Sequence, residues 1–214
     1  VKVDSTAAAT LESYFNFGAY AIISSVIVSV GLVFSGMSEP ERVRRMEAGP
    51  ISERRRSLAV FAAAAVLTVC IWFVSSMMGV VGFAGAVAEV GVGRVCLALA
   101  ATFALACMPL AVGFALSSLG AREELLNGVG NLLGMLMTFL GGAWVPLSLM
   151  GPAVQTAAHF VPTYWVNDAI GKALAADLTS TVLGDIACDL GVTVLFAAAI
   201  AAVGLALAHN KSHA

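Results

Sequence analysis

Residues 15–37 read FNFGAYAIISSVIVSVGLVFSGM, a stretch without a single charged side chain. Crossing the roughly 30 Å hydrocarbon core of a bilayer takes about 20 apolar residues as a helix, and this stretch is long enough to do so. Four further apolar runs follow at 58–81, 95–117, 125–147 and 186–208, the last with Asp189 near its start. Pro109 lies inside the third, which a helix in lipid tolerates when its neighbours satisfy the freed carbonyl. The whole chain of 214 residues is 60% hydrophobic and 11% charged, with a mean hydropathy of +0.95. A soluble domain is nearer 45–50% apolar and about 25% charged, and the interior of a chain this size cannot absorb the difference. The expected fold is therefore all-α: one polytopic membrane domain over 1–214 with about five transmembrane helices.

Between the last two runs, residues 148–181 are too polar and too interrupted by Pro152 and Pro162 to span, yet too apolar for a free loop. Short interfacial or re-entrant helices fit such a segment, with Tyr164 and Trp165 as rings suited to headgroup depth. If the spans alternate, eight of the 11 Lys and Arg residues fall on one side and three on the other, six of the eight being arginines of 38–57. The positive-inside rule then makes 38–57 and the C-terminus cytoplasmic. Five spans with an outward N-terminal end predict one more spanning helix before Val1. The opening VKVDSTAAATLES lacks the ordered regions of a signal peptide. A net charge of −2 gives no basic field for nucleic acid. The four cysteines show neither CxxC nor Cys/His spacing, so neither a disulfide framework nor a zinc site is expected.

The 38–57 segment carries a pattern of its own. Ser38-Glu39-Pro40-Glu41 has capping-box spacing with proline in the first turn, and ERVRRMEAG then reads as a short helix ended by Gly49 and Pro50. Such a helix is a docking surface for another protein, or an ordinary basic juxtamembrane loop against anionic lipid. Arg54, Arg55 and Arg56 read as interfacial anchors.

In order along the chain stand an apolar helix, the loop E-R-x-R-R-x-E-x-G-P-I-S, two spans, a glycine-rich span, the segment F-V-P-T-Y-W-V-N-D-A-I-G-K-A-L, and a closing helix with a basic tail. From about Tyr14 to Lys211 this order resembles the membrane-spanning permease of ABC-2 type transporters, an export class with six spans. The resemblance implies a coupling helix that docks on an ATP-hydrolysing subunit, which falls on Glu41, Arg42, Arg44, Arg45 and Glu47. It makes Pro162, Tyr164 and Trp165 part of external re-entrant helices capping the path. It also implies a second permease copy or homologue, with ATP and magnesium held by the partner ATPase and no cofactor on this chain. The expected location is the bacterial plasma membrane, multi-pass, and the expected activity is outward movement of a hydrophobic or amphipathic substrate.

No phosphate-binding GxxxxGK[ST] loop is present, which agrees with nucleotide binding on a separate chain. Gly130 and Gly134 form GxxxG, where small residues let helix backbones approach. Asn127 and Asn131, four apart, share one helix face and are candidates to line a polar pathway. Asp168 and Lys172 form an i,i+4 pair, Asp185 and Asp189 suit the start of the last helix, and Glu89 and Arg94 read as solvated residues of an external turn. No residue is assigned as catalytic, cofactor-binding or metal-ligating. The alternative, an ion-gradient-driven secondary transporter or channel, would show charges near mid-membrane and internal repeats, and the five runs contain neither.

Overall fold

A computed structural model describes residues 5–37, 53–175 and 177–212. They form α1 (Ser5–Met37), α2 (Glu53–Gly82), α3 (Ala84–Val90), α4 (Val92–Ser118), α5 (Glu123–Leu140), a 3-10 turn at Leu147–Leu149, α6 (Pro152–Ala158), α7 (Pro162–Ala175) and α8 (Ser180–Ser212). The described residues contain no strand, and the protein is an all-α polytopic membrane protein. Among the described residues, four helical stretches are long and apolar enough to cross a bilayer: Thr6–Met37, Leu58–Gly82, Val92–Ser118 and Ser180–Leu207.

Three of these match the expected runs within a few residues at most ends, while α1 begins ten residues before 15. The fourth expected span, 125–147, is shorter: α5 has 18 residues and ends at Leu140. The reason lies in Gly141 and Gly142. Gly142 has φ +83, a left-handed conformation that a glycine adopts without a Cβ clash. The Gly142 N–H bonds to Phe139 O and the Ala143 N–H to Thr138 O, the paired bonds of a Schellman termination. The same device ends α4, where Gly120 has φ +81 and the Ala121 N–H reaches Leu116 O. Pro109 lies within an unbroken α4, whereas Pro152 and Pro162 begin α6 and α7, where a missing N–H costs nothing.

The packing order follows from residue pairs. At one end, the Phe34 ring lies 5.1 Å from Phe114 and 6.5 Å from Phe61, Gly31 lies under Leu126, and Gly204 packs on Ala115. At the other end, the Tyr14 hydroxyl donates to Ser75 O at 2.7 Å, and Arg94 Nη1 donates to Leu174 O at 3.3 Å. So α1, α4 and α8 run one way while α2 and α5 run the other. Helix α4 is central: 61% of its most apolar stretch is buried, against 11% for α2 and 17% for α8. On α1, Leu11, Phe15, Ala19, Ile23 and Ile27 repeat every four residues and are all buried, forming the ridge that packs into the core. Ile22, Val26 and Val30 form a second stripe against Ala64 of α2 and Ala106 of α4. The outward faces of α2 and α8 carry exposed Val66, Phe73, Met78, Leu195 and Val203. A helix so placed has lipid or another chain for its solvent.

Candidate functional site

At the end of the bundle where α1 begins, α6 and α7 form a cap. With seven and 14 residues they reach only about 10 and 21 Å, too short to cross. Helix α7 is held firmly. Val166, Ala169, Ile170, Ala173 and Leu174 are fully buried against α1, α4 and α8. Thr163 and Asn167, four apart on the same side of the helix as Ile170 and Leu174, donate to the last turn of α5: Thr163 Oγ1 to Met137 O, and Asn167 Nδ2 to Gly141 O at 2.7 Å. The Gly141 carbonyl, at the C-terminal end of α5, has no intrahelical donor and takes one from Asn167, while the Met137 carbonyl accepts both the Gly141 N–H and the Thr163 hydroxyl.

The cap also carries charge. Lys172 Nζ lies 2.7 Å from Asp168 Oδ2, the pair read from sequence, and 2.7 Å from Asp189 Oδ2 on α8. The Asp189 side chain is only 4% exposed, so this second bond balances a buried carboxylate. Burial of Lys172 works against its charge, but the hydrogen bonds and charges of Asp168 and Asp189 prevail and raise its pKa above the ordinary lysine value. Arg94, expected to be solvated, instead donates to the last turn of α7, where a cation suits the helix C-terminus.

Pro162, Tyr164 and Trp165 come together at the start of α7. Trp165 Nε1 donates to His159 O at 3.0 Å, and the Tyr164 ring stands 4.4 Å from His159 and 5.2 Å from Trp165. Burial, and secondarily the charge of Asp168, push the Tyr164 hydroxyl pKa up. Gly130 and Gly134 face α1: a Cβ at Gly134 would meet Ser24 Oγ at 2.6 Å, and one at Gly130 would meet Val28 at 3.1 Å. Asn127 and Asn131 lie beside that contact. Asn127 Nδ2 donates to Glu123 O, Asn131 Nδ2 donates to Asn127 O, and the Tyr20 hydroxyl donates to Asn131 Oδ1 at 2.9 Å. Glu41, Arg42, Arg44, Arg45 and Glu47 lie outside the described residues.

Under the cap a cavity of about 350 Å³ opens between the head of α1, the turn after α5 and α7. Its wall includes Glu12, Asn16, Gly142, Tyr164, Asn167 and Asp168. Glu12, Asn16 and the α7 donors Thr163 and Asn167 were not singled out from sequence. The available signal was polar residues four apart, at 12/16 and 163/167, each pair on a helix face that is otherwise apolar. A second cavity of about 360 Å³, between α1 and α2, is lined by Phe17, Ile22 and Met78 with Ser75 and Ser76.

A family model described as ABC-2 type transporter matches residues 51–175, from the start of α2 to the end of α7. No curated protein and no solved structure matches the chain.

Proposed function

The chain belongs to the ABC-2 type transporter family, and from that premise we propose that it is the permease of an ATP-driven exporter moving a hydrophobic or amphipathic substrate outward. The family match carries the reading, because it runs from the start of α2 through α4 and α5 to the end of the cap. In this reading the chain does no covalent chemistry. ATP and its magnesium are held by a separate ABC-type ATPase, which grips 38–57 through Glu41, Arg42, Arg44, Arg45 and Glu47. Met37 and Glu53 flank that segment at the end of the bundle shared with Leu126 and Gly204. The arginine excess makes this the cytoplasmic end of a bacterial plasma-membrane protein, with the C-terminus inside.

Closure of the ATPase subunits then pushes on α1 and α2, and the packed helices switch between inward- and outward-open arrangements. Helix α5 and the turn through Trp144 complete a fifth crossing. Its face bearing Asn127 and Asn131 lines the path toward a second permease copy or homologue, while Gly130 and Gly134 keep α5 pressed on α1. The cap around Pro162, Tyr164 and Trp165 closes the outer mouth.

Gentle solubilisation of the full-length protein from its native membrane, followed by identification of what accompanies it, tests the reading. A partner carrying GxxxxGK[ST], and transport that stops when ATP is depleted, are expected. Purification without such a partner, with transport following an ion gradient instead, would place the protein among secondary carriers.

A further inference from the structure

The cavity under the cap has a wall rich in acceptors. Glu12 and Asn16 stand one turn apart on α1 and both face it. Among the described residues the Glu12 carboxylate has neither an ion pair nor a hydrogen bond, and its neighbour across the gap is Gly171, where a Cβ would lie 3.3 Å from Oε1. Asn16 is 9% exposed and its Oδ1 has no donor. Asn167 spends its Nδ2 on Gly141 O, which fixes its amide orientation and leaves Oδ1 equally without a donor. Asp168 shares Lys172 with the buried Asp189. A buried acceptor without a donor is costly, so the Asn16 oxygen beside a carboxylate that has no partner among the described residues calls for a ligand rich in N–H groups.

Charge, size and depth narrow that partner. Two carboxylates in the wall repel an anion, and a neutral polyol would leave Glu12 uncompensated. A volume of about 350 Å³ is roughly ten times the share of one water molecule, more than a bare ion fills. Pro146 and Leu147 give the same cavity an apolar side. Tyr20, Trp144, Tyr164 and Trp165 ring this end of the bundle, and such rings concentrate at headgroup depth.

We infer that this cavity binds the protonated primary amine of an amphiphile, with the ammonium donating to Glu12 and Asn16 and the chain lying along Pro146 and Leu147. The broad terminal torsion of Asn16 lets its oxygen turn toward the cavity. The amine can be the head of an amino-phospholipid or a free long-chain amine, and the site does not depend on the chain being an exporter.

The test uses the purified full-length chain without any ATPase. Saturable change in tryptophan fluorescence is followed with hexylammonium, with hexyltrimethylammonium (the same charge without N–H donors) and with hexanol. Hexylammonium is expected to bind at least tenfold more tightly than either. Glu12→Gln should weaken it about tenfold and Asn16→Leu several-fold, with thermal melting reporting that each variant is folded. Should Asn16→Leu fail to fold, Asn16→Asp replaces it and is expected to tighten binding. Native mass spectrometry after equilibration with vesicles of equal phosphatidylethanolamine and phosphatidylglycerol separates the sources. Retained phosphatidylethanolamine displaced by hexylammonium identifies the lipid, and hexylammonium binding without lipid retention identifies the free amine. Equal affinity for the three probes, indifference to Glu12→Gln, or displacement of the amine by millimolar sodium would each overturn the inference.

Discussion

Asn167 Nδ2 lies 2.7 Å from the carbonyl oxygen of Gly141, so a side chain of α7 completes the hydrogen bonding at the end of α5. Replacing Asn167 by leucine keeps the volume and removes the donor, leaving the Gly141 carbonyl without this partner. The expected cost is about 1–3 kcal/mol, read as a melting point lower by several degrees in detergent. A melting point equal to that of the parent protein would show that the contact carries no stability.

Lys172 balances two carboxylates, one of them buried. Lys172→Met should destabilise by about 3 kcal/mol, because it strands Asp189 as an unpaired charge, and Asp189→Leu in the same chain should recover most of the loss. Asp168→Asn should cost less, since the Asp168 side chain is 42% exposed. The folded pKa of Lys172 is raised, so its contribution is fully present below the ordinary value of about 10.4 and is lost only as pH rises through the folded value. Stability measured between about pH 6 and 9 should therefore show no step that Lys172→Met abolishes.

Glycines of α5 divide by what surrounds them. A Cβ at Gly134 would lie 2.6 Å from Ser24 Oγ and 3.1 Å from the Tyr20 ring, so Gly134→Val should force α5 away from α1 and lower stability. Gly128 has nothing within 4 Å, and Gly128→Ala should instead stabilise, by up to about 1 kcal/mol through helix propensity. Opposite signs for these two variants in a denaturant titration are the expected result.

Asn127→Leu with Asn131→Leu should abolish export if these amides line the path. Tyr20→Phe removes only the bond to Asn131 Oδ1, and is expected to leave transport nearly intact. Equal loss of transport in Tyr20→Phe would assign Asn131 to holding α1 and α5 together instead.

Charge reversal at Arg44 and Arg45 should weaken co-purification of the ATPase and uncouple its hydrolysis from transport. Unchanged recovery and activity of that double variant would remove these arginines from the coupling contact.

The spans were legible because apolar runs of this length have no other stable use, and Leu58–Gly82 and Val92–Ser118 lie within a few residues of their expected bounds. The head of α1 was not. Its buried face consists of Ala7, Ala8 and Leu11 scattered among Thr, Ser and Glu, and only contact with other helices makes it a core face. Gly141 and Gly142 fall inside the expected 125–147 span, while their backbone turn shortens α5. Asp168–Lys172 could be seen because i,i+4 partners share a helix. Asp189 joins them from 17 residues away on α8, and Asn16 meets Asn167 across a cavity walled by three segments, so neither relation has a period to read.

Helix α7 is tied to α5 by Thr163 and Asn167, to α8 by Lys172, and to α4 by Arg94. It works as a strut laid across three posts. Torque applied to any one of them is delivered to the others through side-chain bonds a few ångströms long, without waiting for a loop to tighten. The cap must consequently move as one piece with these three helices, and a single covalent staple between α7 and α5 should be enough to hold it still.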